Sequence, residues 1–273
     1  MKLWLMRHLW GVTEAWEEVF PRIRDSGYVG IEAVVPPAEE RERFMKLLEQ
    51  HSFEYIPQIF TQGSTVEEHL TSFRQQVETA VTLHPKFINC HSGRDAWSEA
   101  DSTRFFEQAL NLEAKARRPV AHETHRGRIL FNPWITSRLL SQFQELKLCC
   151  DFSHWVCVAE RLLDDELGIL RQCSQHCLHI HARVGYGEGP QVPDPRAPEY
   201  QAAVEAHERW WELMWEGQAA RNLEVTTLTP EFGPPTYLHT LPYTNVPVAD
   251  LWEVCNWQAN RQAANFTRWT AKN

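Results

Sequence analysis

The chain has 273 residues, 43% hydrophobic, 23% charged and 11% aromatic, which is globular rather than disordered or fibrous composition. Its 27 basic residues face 36 acidic ones, for a net charge of −9; nucleic-acid binders usually present a basic surface, so nucleic acid is not the expected partner. The seven scattered cysteines include no C-x-x-C pair, the pattern of buried free thiols in a reducing compartment.

A chain this long buries roughly three quarters of its unfolded surface and needs no disulfide to hold a core. No apolar run reaches membrane-spanning length, so no membrane partner is expected. The stretch Leu3–Met6 ahead of Arg7 and His8 is too short for a signal-peptide core. A soluble, cytoplasmic protein is expected.

Short apolar runs alternate with longer amphipathic stretches. The first predicted strand is Lys2–Met6. The helix Thr13–Asp25 follows, and Pro21 is expected to break or kink it. Strand Tyr28–Val35 precedes helix Ala38–Gln50, which carries Phe44, Leu47 and Leu48 on one side. Strand Phe53–Phe60 leads to a helical stripe of Val66, Leu70, Phe73, Val77 and Val81, stepping by three and four. Strand Lys86–Cys90 then precedes helix Asp101–Arg117, and strand Pro119–Glu123 precedes helix Pro133–Phe143. Strand Leu146–Asp151 precedes helix Leu162–Gln172. Strand Cys177–Arg183 precedes a proline-rich loop, Gly185–Tyr200, and helix Tyr200–Gly217. Strand Leu223–Thr229 and helix Asp250–Arg268 complete the chain.

Eight strands alternating with about eight helices is the count of an α/β chain folded as one (β/α)8 TIM barrel over residues 1–273. An open doubly wound sheet is the alternative, weakened because no glycine-rich phosphate loop is present. In such a barrel the active site lies at the carboxyl ends of the strands. Those ends are polar here: His91-Ser92-Gly93 after strand four, His122-Glu123-Thr124-His125 after five, Asp151-Phe152-Ser153-His154 after six, and Thr229-Pro230-Glu231 after eight.

Strand alternation sorts these residues by face. In strand seven, His179, His181 and Arg183 share one face and Leu178, Ile180 and Ala182 the other. The apolar set suits the helix layer, so the polar set is expected inside the barrel, where it needs counter-charges or a metal. Asp151 lies opposite Leu148, Cys150 and Phe152 and is expected to point inward too, whereas His122 is expected to face away from Glu123. Inward carboxylates on neighbouring strands with an inward imidazole make a hard, oxygen-rich divalent site. That set suits Mn2+, Mg2+ or Co2+ better than structural Zn2+. A Cys173/Cys177/His179/His181 zinc set fits no common spacing, and its members are expected too far apart along the strand.

The order Glu123, Asp151-x-x-His154, His179-x-His181 and Glu231 resembles the xylose isomerase-like TIM barrels. Within them it is similar to the sugar isomerase and epimerase branch, which includes ketose 3-epimerases and hydroxypyruvate isomerases. The resemblance implies that Glu123, Asp151, His181 and Glu231 bind one divalent ion, with Mn2+ preferred and Mg2+, Co2+ or Zn2+ as alternatives. It implies that Glu123 and Glu231 form an acid/base pair, and that His154 contacts substrate. Arg183, His91, Glu32 and Trp155 are further substrate-binding candidates, and Trp10 and Trp134 are candidate walls of the site. Two departures stand out. Arg126, Gly127 and Arg128 follow where ketose 3-epimerases carry another acidic residue, and Arg183 comes only two residues after His181.

The implied activity is a metal-dependent sugar or sugar-acid isomerase or epimerase in carbohydrate metabolism, working through an enediolate. Alternatives are a dehydratase or lyase on the same barrel, an endonuclease IV-like enzyme, and a non-catalytic metal- or sugar-binding barrel. Family habit implies a homodimer or homotetramer. The tryptophans of His207–Trp215, with Trp252, Trp257 and Trp269, suit either an interface or packing on the barrel.

Overall fold

Among the described residues, 1–272, eight parallel strands close into a barrel in strict chain order in this computed structural model. The strands are β1 (Lys2–His8), β2 (Gly30–Val34), β3 (Glu54–Phe60), β4 (Ile88–His91), β5 (Val120–Glu123), β6 (Lys147–Cys150), β7 (Cys177–His181) and β8 (Val225–Thr229). The helices are α1 (Trp16–Asp25), α2 (Arg41–Gln50), α3 (Val66–Val81), α4 (Glu99–Ala116), α5 (Pro133–Gln142), α6 (Ser153–Ala159), α7 (Leu167–Ser174), α8 (Gln201–Ala220) and α9 (Leu251–Lys272). Closure by pairing of β1 with β8 rules out the open-sheet alternative. None of the described helices is long and apolar enough to cross a membrane.

The helix starts follow local chemistry. Thr65 and Glu68 form a reciprocal capping box on α3, and Ser98 caps α4 through the Asp101 N–H. Asn132 caps α5, with Pro133 at the position where a missing N–H is harmless. Pro21 does not break α1. The helix starts at Trp16 and continues through Pro21, with Val19, Phe20 and Ile23 buried on one face. Packing of that face outweighs the lost backbone bond. The sequence reading did not anticipate α6, whose seven residues follow directly from the Asp151 strand end.

Side chains alternate across the barrel wall. Ile59, Ile88, Cys90, Val120, Leu148, Cys150, Ile180 and Leu228 join the apolar layer beneath the helices. Met6, Ile56, Phe87, Ala121 and Cys149 form a separate apolar cluster, on the interior parity of their strands. The next inward positions are polar: Glu32, Asn89, Glu123, Asp151, His179 and His181, each at most 1% exposed. Leu178 departs from the expected pattern. It packs against the interior cluster, beside a register irregularity at Leu148 and Cys149 where β6 meets β7.

Trp210, Trp211 and Trp215 are fully buried in the main core, so on α8 the packing alternative describes these rings. The seven cysteines form no disulfide among the described residues.

Candidate metal centre

Four strand ends converge on one point. One ligand-type atom from each of Glu123, Asp151, His181 and Glu231 lies within 4.8 Å of the others, and all four residues are buried. His181 Nδ1 is 3.0 Å from Glu231 Oε2, 3.6 Å from Glu123 Oε2 and 4.0 Å from Asp151 Oδ2. In this cluster His181 Nδ1 and the other carboxylate oxygen of Glu123, Oε1, have no hydrogen-bond partner. Orphaned polar atoms this deep in a protein are costly unless something else satisfies them. Three carboxylates and one imidazole form a donor set that fits a hard divalent cation.

A polar shell orients the set. Glu32 lies within hydrogen-bond distance of His181 Nε2 (3.0 Å) and His179 Nε2 (3.1 Å), and accepts from Thr229 Oγ1 and Asn89 Nδ2. Holding Nε2 leaves Nδ1 as the nitrogen aimed at the carboxylates, the carboxylate–histidine arrangement typical behind metal ligands. Asn89 also donates to Glu123 Oε2 at 2.9 Å. Asp151 accepts from the Ser153 N–H at 3.0 Å and from its hydroxyl. Gln58 donates to Glu231 Oε1 at 3.2 Å.

Charge and burial act together here. Burial opposes ionisation of Glu123, but the imidazoles of His91 and His181 outweigh it and hold the carboxyl below its ordinary range. Burial likewise opposes Glu231, and His181 and Arg183 hold it down. Asp151 differs: burial dominates over Arg183 and His181 and pushes it up to about 6. Burial works against a charged His181, yet Cys149 and the surrounding carboxylates Glu231, Glu32 and Glu123 push it well above the ordinary imidazole value.

A cavity of about 420 Å³ opens beside the set, within the usual range for small-molecule sites. Its apolar walls are Leu9, Trp10, Ala33, Val34, Phe60 and Tyr237, and its polar lining is Gln58, His91, His125, Arg128, Arg183 and Glu231. Arg183 Nη2 donates to Asp151 Oδ2 and, at 2.6 Å, to His154 Nε2, and lies 3.4 Å from Glu231 Oε2. His154 is completely buried, with its ring centroid 3.8 Å from that of His125. Burial and then His125 and Arg183 hold it well below the ordinary value, so it is a neutral acceptor.

Of the sequence candidates, His91, Arg183 and Glu231 border the cavity directly, while Glu123, Asp151, His181 and His154 are not part of its lining. Two candidates for substrate binding are corrected. Glu32 is wholly buried and saturated by His179, His181, Asn89 and Thr229, which leaves it nothing to offer a ligand. Trp155 lies in the apolar core against Phe152 and donates to Leu130 O at 2.9 Å; its place at the start of α6 turns the indole away from the cavity. Trp10 lines the cavity, whereas the Trp134 indole donates to Glu166 elsewhere. His122 faces outward, contacting Glu113 and Phe73.

Sequence reasoning missed Gln58, Asn89, Tyr237 and Arg128. Strand parity carried a signal for two of them, since Asn89 precedes His91 by two and Gln58 follows Ile56 by two. Tyr237 sits in an irregular segment with no such signal. The proline-rich loop is anchored by Gln191, whose side chain donates to Gly233 O and accepts from Gly233 N–H. That clamp holds the segment just beyond Glu231.

The family profile of xylose isomerase-like TIM barrels matches residues 20–196. No curated protein matches the chain significantly in sequence. Solved structures share the fold at low identity. A xylose isomerase-like TIM barrel protein from Mycobacterium smegmatis, in complex with magnesium, is 10% identical with a TM-score of 0.65, over 97% of each chain. The 3-keto-D-glucoside 4-epimerase of E. coli is 11% identical with a TM-score of 0.64, over 96% of this chain and 100% of that one. A probable 3-DHS dehydratase from Bacillus anthracis is 13% identical with a TM-score of 0.61, over 96% and 99%. With a closed eight-stranded barrel and a profile match over more than half its length, this chain belongs to the xylose isomerase-like TIM barrel family.

Proposed function

We propose that the protein is a divalent-metal-dependent isomerase or epimerase that removes a proton next to the carbonyl of a sugar or sugar acid. The observation that carries this reading is the convergence of Glu123, Asp151, His181 and Glu231 beside a cavity of small-molecule size. Mn2+ is the preferred ion and Mg2+ or Co2+ the alternatives, because three of the four donors are carboxylates. When bound, such an ion supplies Lewis-acid stabilisation for the negative charge that develops on the carbonyl and adjacent hydroxyl oxygens.

The chain's own groups do the rest. Glu231 borders the cavity and is held ionised by His181 and Arg183, so it is the base that takes the proton. Glu123 is held ionised by His91 and His181 and serves as the second proton carrier of the pair. Arg183, which borders the cavity, orients a substrate hydroxyl, and His154, kept neutral, holds Arg183 from behind by accepting from its Nη2. Trp10, Phe60 and Tyr237 cover the apolar face of a sugar and exclude water.

Elimination of water from the same carbanion is the second reading. The likeness to a probable dehydratase supports it, and it shares the first step. Metal content by elemental analysis comes first: about one divalent ion per chain, lost in Asp151→Ala, is expected. Ketoses and keto acids are then incubated with Mn2+ in deuterated water. Incorporation of deuterium next to the carbonyl, lost in Glu231→Gln, supports isomerisation. Loss of water with appearance of a conjugated product selects the dehydratase. A protein that takes up no metal, or a Glu231→Gln variant with full turnover, overturns the proposal.

A further inference from the structure

The turn after β5 carries an arginine that is held by backbone carbonyls. Arg128 lines the cavity, and its Nη1 donates to the backbone oxygens of Thr61 and Gly93 at 3.1 and 3.3 Å. Among the described residues no carboxylate lies within ion-pair distance of its guanidinium, and Nε and Nη2 have no protein acceptor. Arg183, the other arginine of the cavity, differs: Asp151 and Glu231 already engage it.

The position of Arg128 is built rather than incidental. Gly127 takes φ +76, and the Arg128 N–H closes the turn onto His125 O at 3.2 Å. Gly93 takes φ +59, and a Cβ there would meet Trp97 Cζ3 at 2.6 Å, so only glycine lets the β4 end lie this close. The Gly93 N–H donates to Thr61 Oγ1 at 2.8 Å, tying together the two residues whose carbonyls accept from Nη1. One corner of the guanidinium is therefore fixed by backbone from β3 and β4. The remaining Nε/Nη2 edge offers two parallel N–H groups, the geometry that matches an oxyanion. Fixing the fork beforehand lowers the ordering cost of binding.

We infer that Arg128 anchors the anionic end of the substrate, so that the protein acts on a sugar acid or a sugar phosphate rather than on a neutral sugar. This rests on the sugar reading proposed above and names its substrate class.

The test compares three probes of similar size on the Mg2+-loaded protein: D-fructose, 5-keto-D-gluconate and D-fructose 6-phosphate. Wild type is expected to bind one or both anions about 10- to 100-fold more tightly than fructose, and the better of the two tells carboxylate from phosphate. Arg128→Gln should bring the anion-to-neutral ratio to about one, and Arg128→Lys should restore part of it. Because the readout is a ratio within one variant, partial loss of folded protein does not mimic it. Millimolar sulfate, with chloride at matched ionic strength as control, tests the anchor apart from sugars: it should raise the Tm of wild type and not of Arg128→Gln. Fructose binding as tightly as both anions, or a ratio that survives Arg128→Gln, overturns the inference and leaves the isomerase reading standing. Sulfate stabilisation through Arg128 with no sugar bound upholds the anchor and overturns the sugar reading. No sulfate effect together with no anion binding overturns both.

Discussion

Glu32 and Glu231 lie at opposite nitrogens of one imidazole: Glu32 Oε1 is 3.0 Å from His181 Nε2 and within hydrogen-bond reach, and Glu231 Oε2 is 3.0 Å from His181 Nδ1 without a hydrogen bond between them. The ring is thus oriented from behind by a carboxylate that never reaches the cavity. Glu32 is itself held by four neighbouring side chains, so its position is not free to relax.

Glu32→Gln keeps the shape but turns one acceptor oxygen into a donor facing other donors. Orienting partners of this kind are worth about 10- to 100-fold in metal affinity. A loss of that size in competition titration with a chelating dye is expected. Unaltered affinity would show that Glu32 does not orient His181 for a ligand.

Trp155→Phe separates a core role from a substrate role. It removes the indole donor to Leu130 O while keeping most of the ring packing against Phe152. Leaving that carbonyl unpaired should cost about 1–3 kcal/mol in denaturant unfolding. KM should stay as in wild type, and a raised KM with unchanged stability would restore Trp155 as a substrate contact.

His207 makes the loop after β7 sensitive to acid. Its Nδ1 donates to Ala203 O at 2.8 Å, and its Nε2 accepts from the Gly185 N–H at 3.2 Å. Burial pushes the imidazole down to about 4 from 6.5. Between these values the unfolded chain binds the proton and the folded chain does not, so stability rises with pH. The contribution is full above about pH 6.5 and is lost as pH falls towards 4. At full burial it amounts to about 3 kcal/mol. His207→Gln should make the stability difference between pH 7 and pH 4 smaller by about that amount, measured by denaturant titration at each pH. An unchanged difference would mean that His207 is not the acid-sensitive group.

Gly93→Ala tests the backbone that supports Arg128. The residue sits at φ +59 and a Cβ would press on Ile129 and Trp97. A loss of about 1–3 kcal/mol is expected from strain and overpacking. Arg128 hangs on the Gly93 carbonyl, so affinity for anionic probes should fall further than affinity for neutral ones. Equal losses for both would separate the glycine from the anion site.

Periodicity in the sequence determined the barrel and the inward face of β7, because a strand repeats every two residues and a surface helix every three or four. The same parity brought His179, His181 and Asp151 inside and put His122 outside. Local patterning carries no information about which distant residues saturate one another. Glu32 stands on an inward position like Glu123, and only the packed barrel surrounds it with four donors and removes it from the ligand's reach. Trp155 follows a strand end like any site residue, and only the unforeseen turn into α6 rotates it into the core. Arg128 lies in an irregular turn with no periodicity at all, and the placement of its guanidinium depends on carbonyls supplied by two other strand ends, Thr61 and Gly93. Side-chain direction along an element is a local property, whereas partners across the barrel are settled by closure of the sheet, which pairs Lys2 with Val225 and brings Thr229 to Glu32 across 197 residues of sequence.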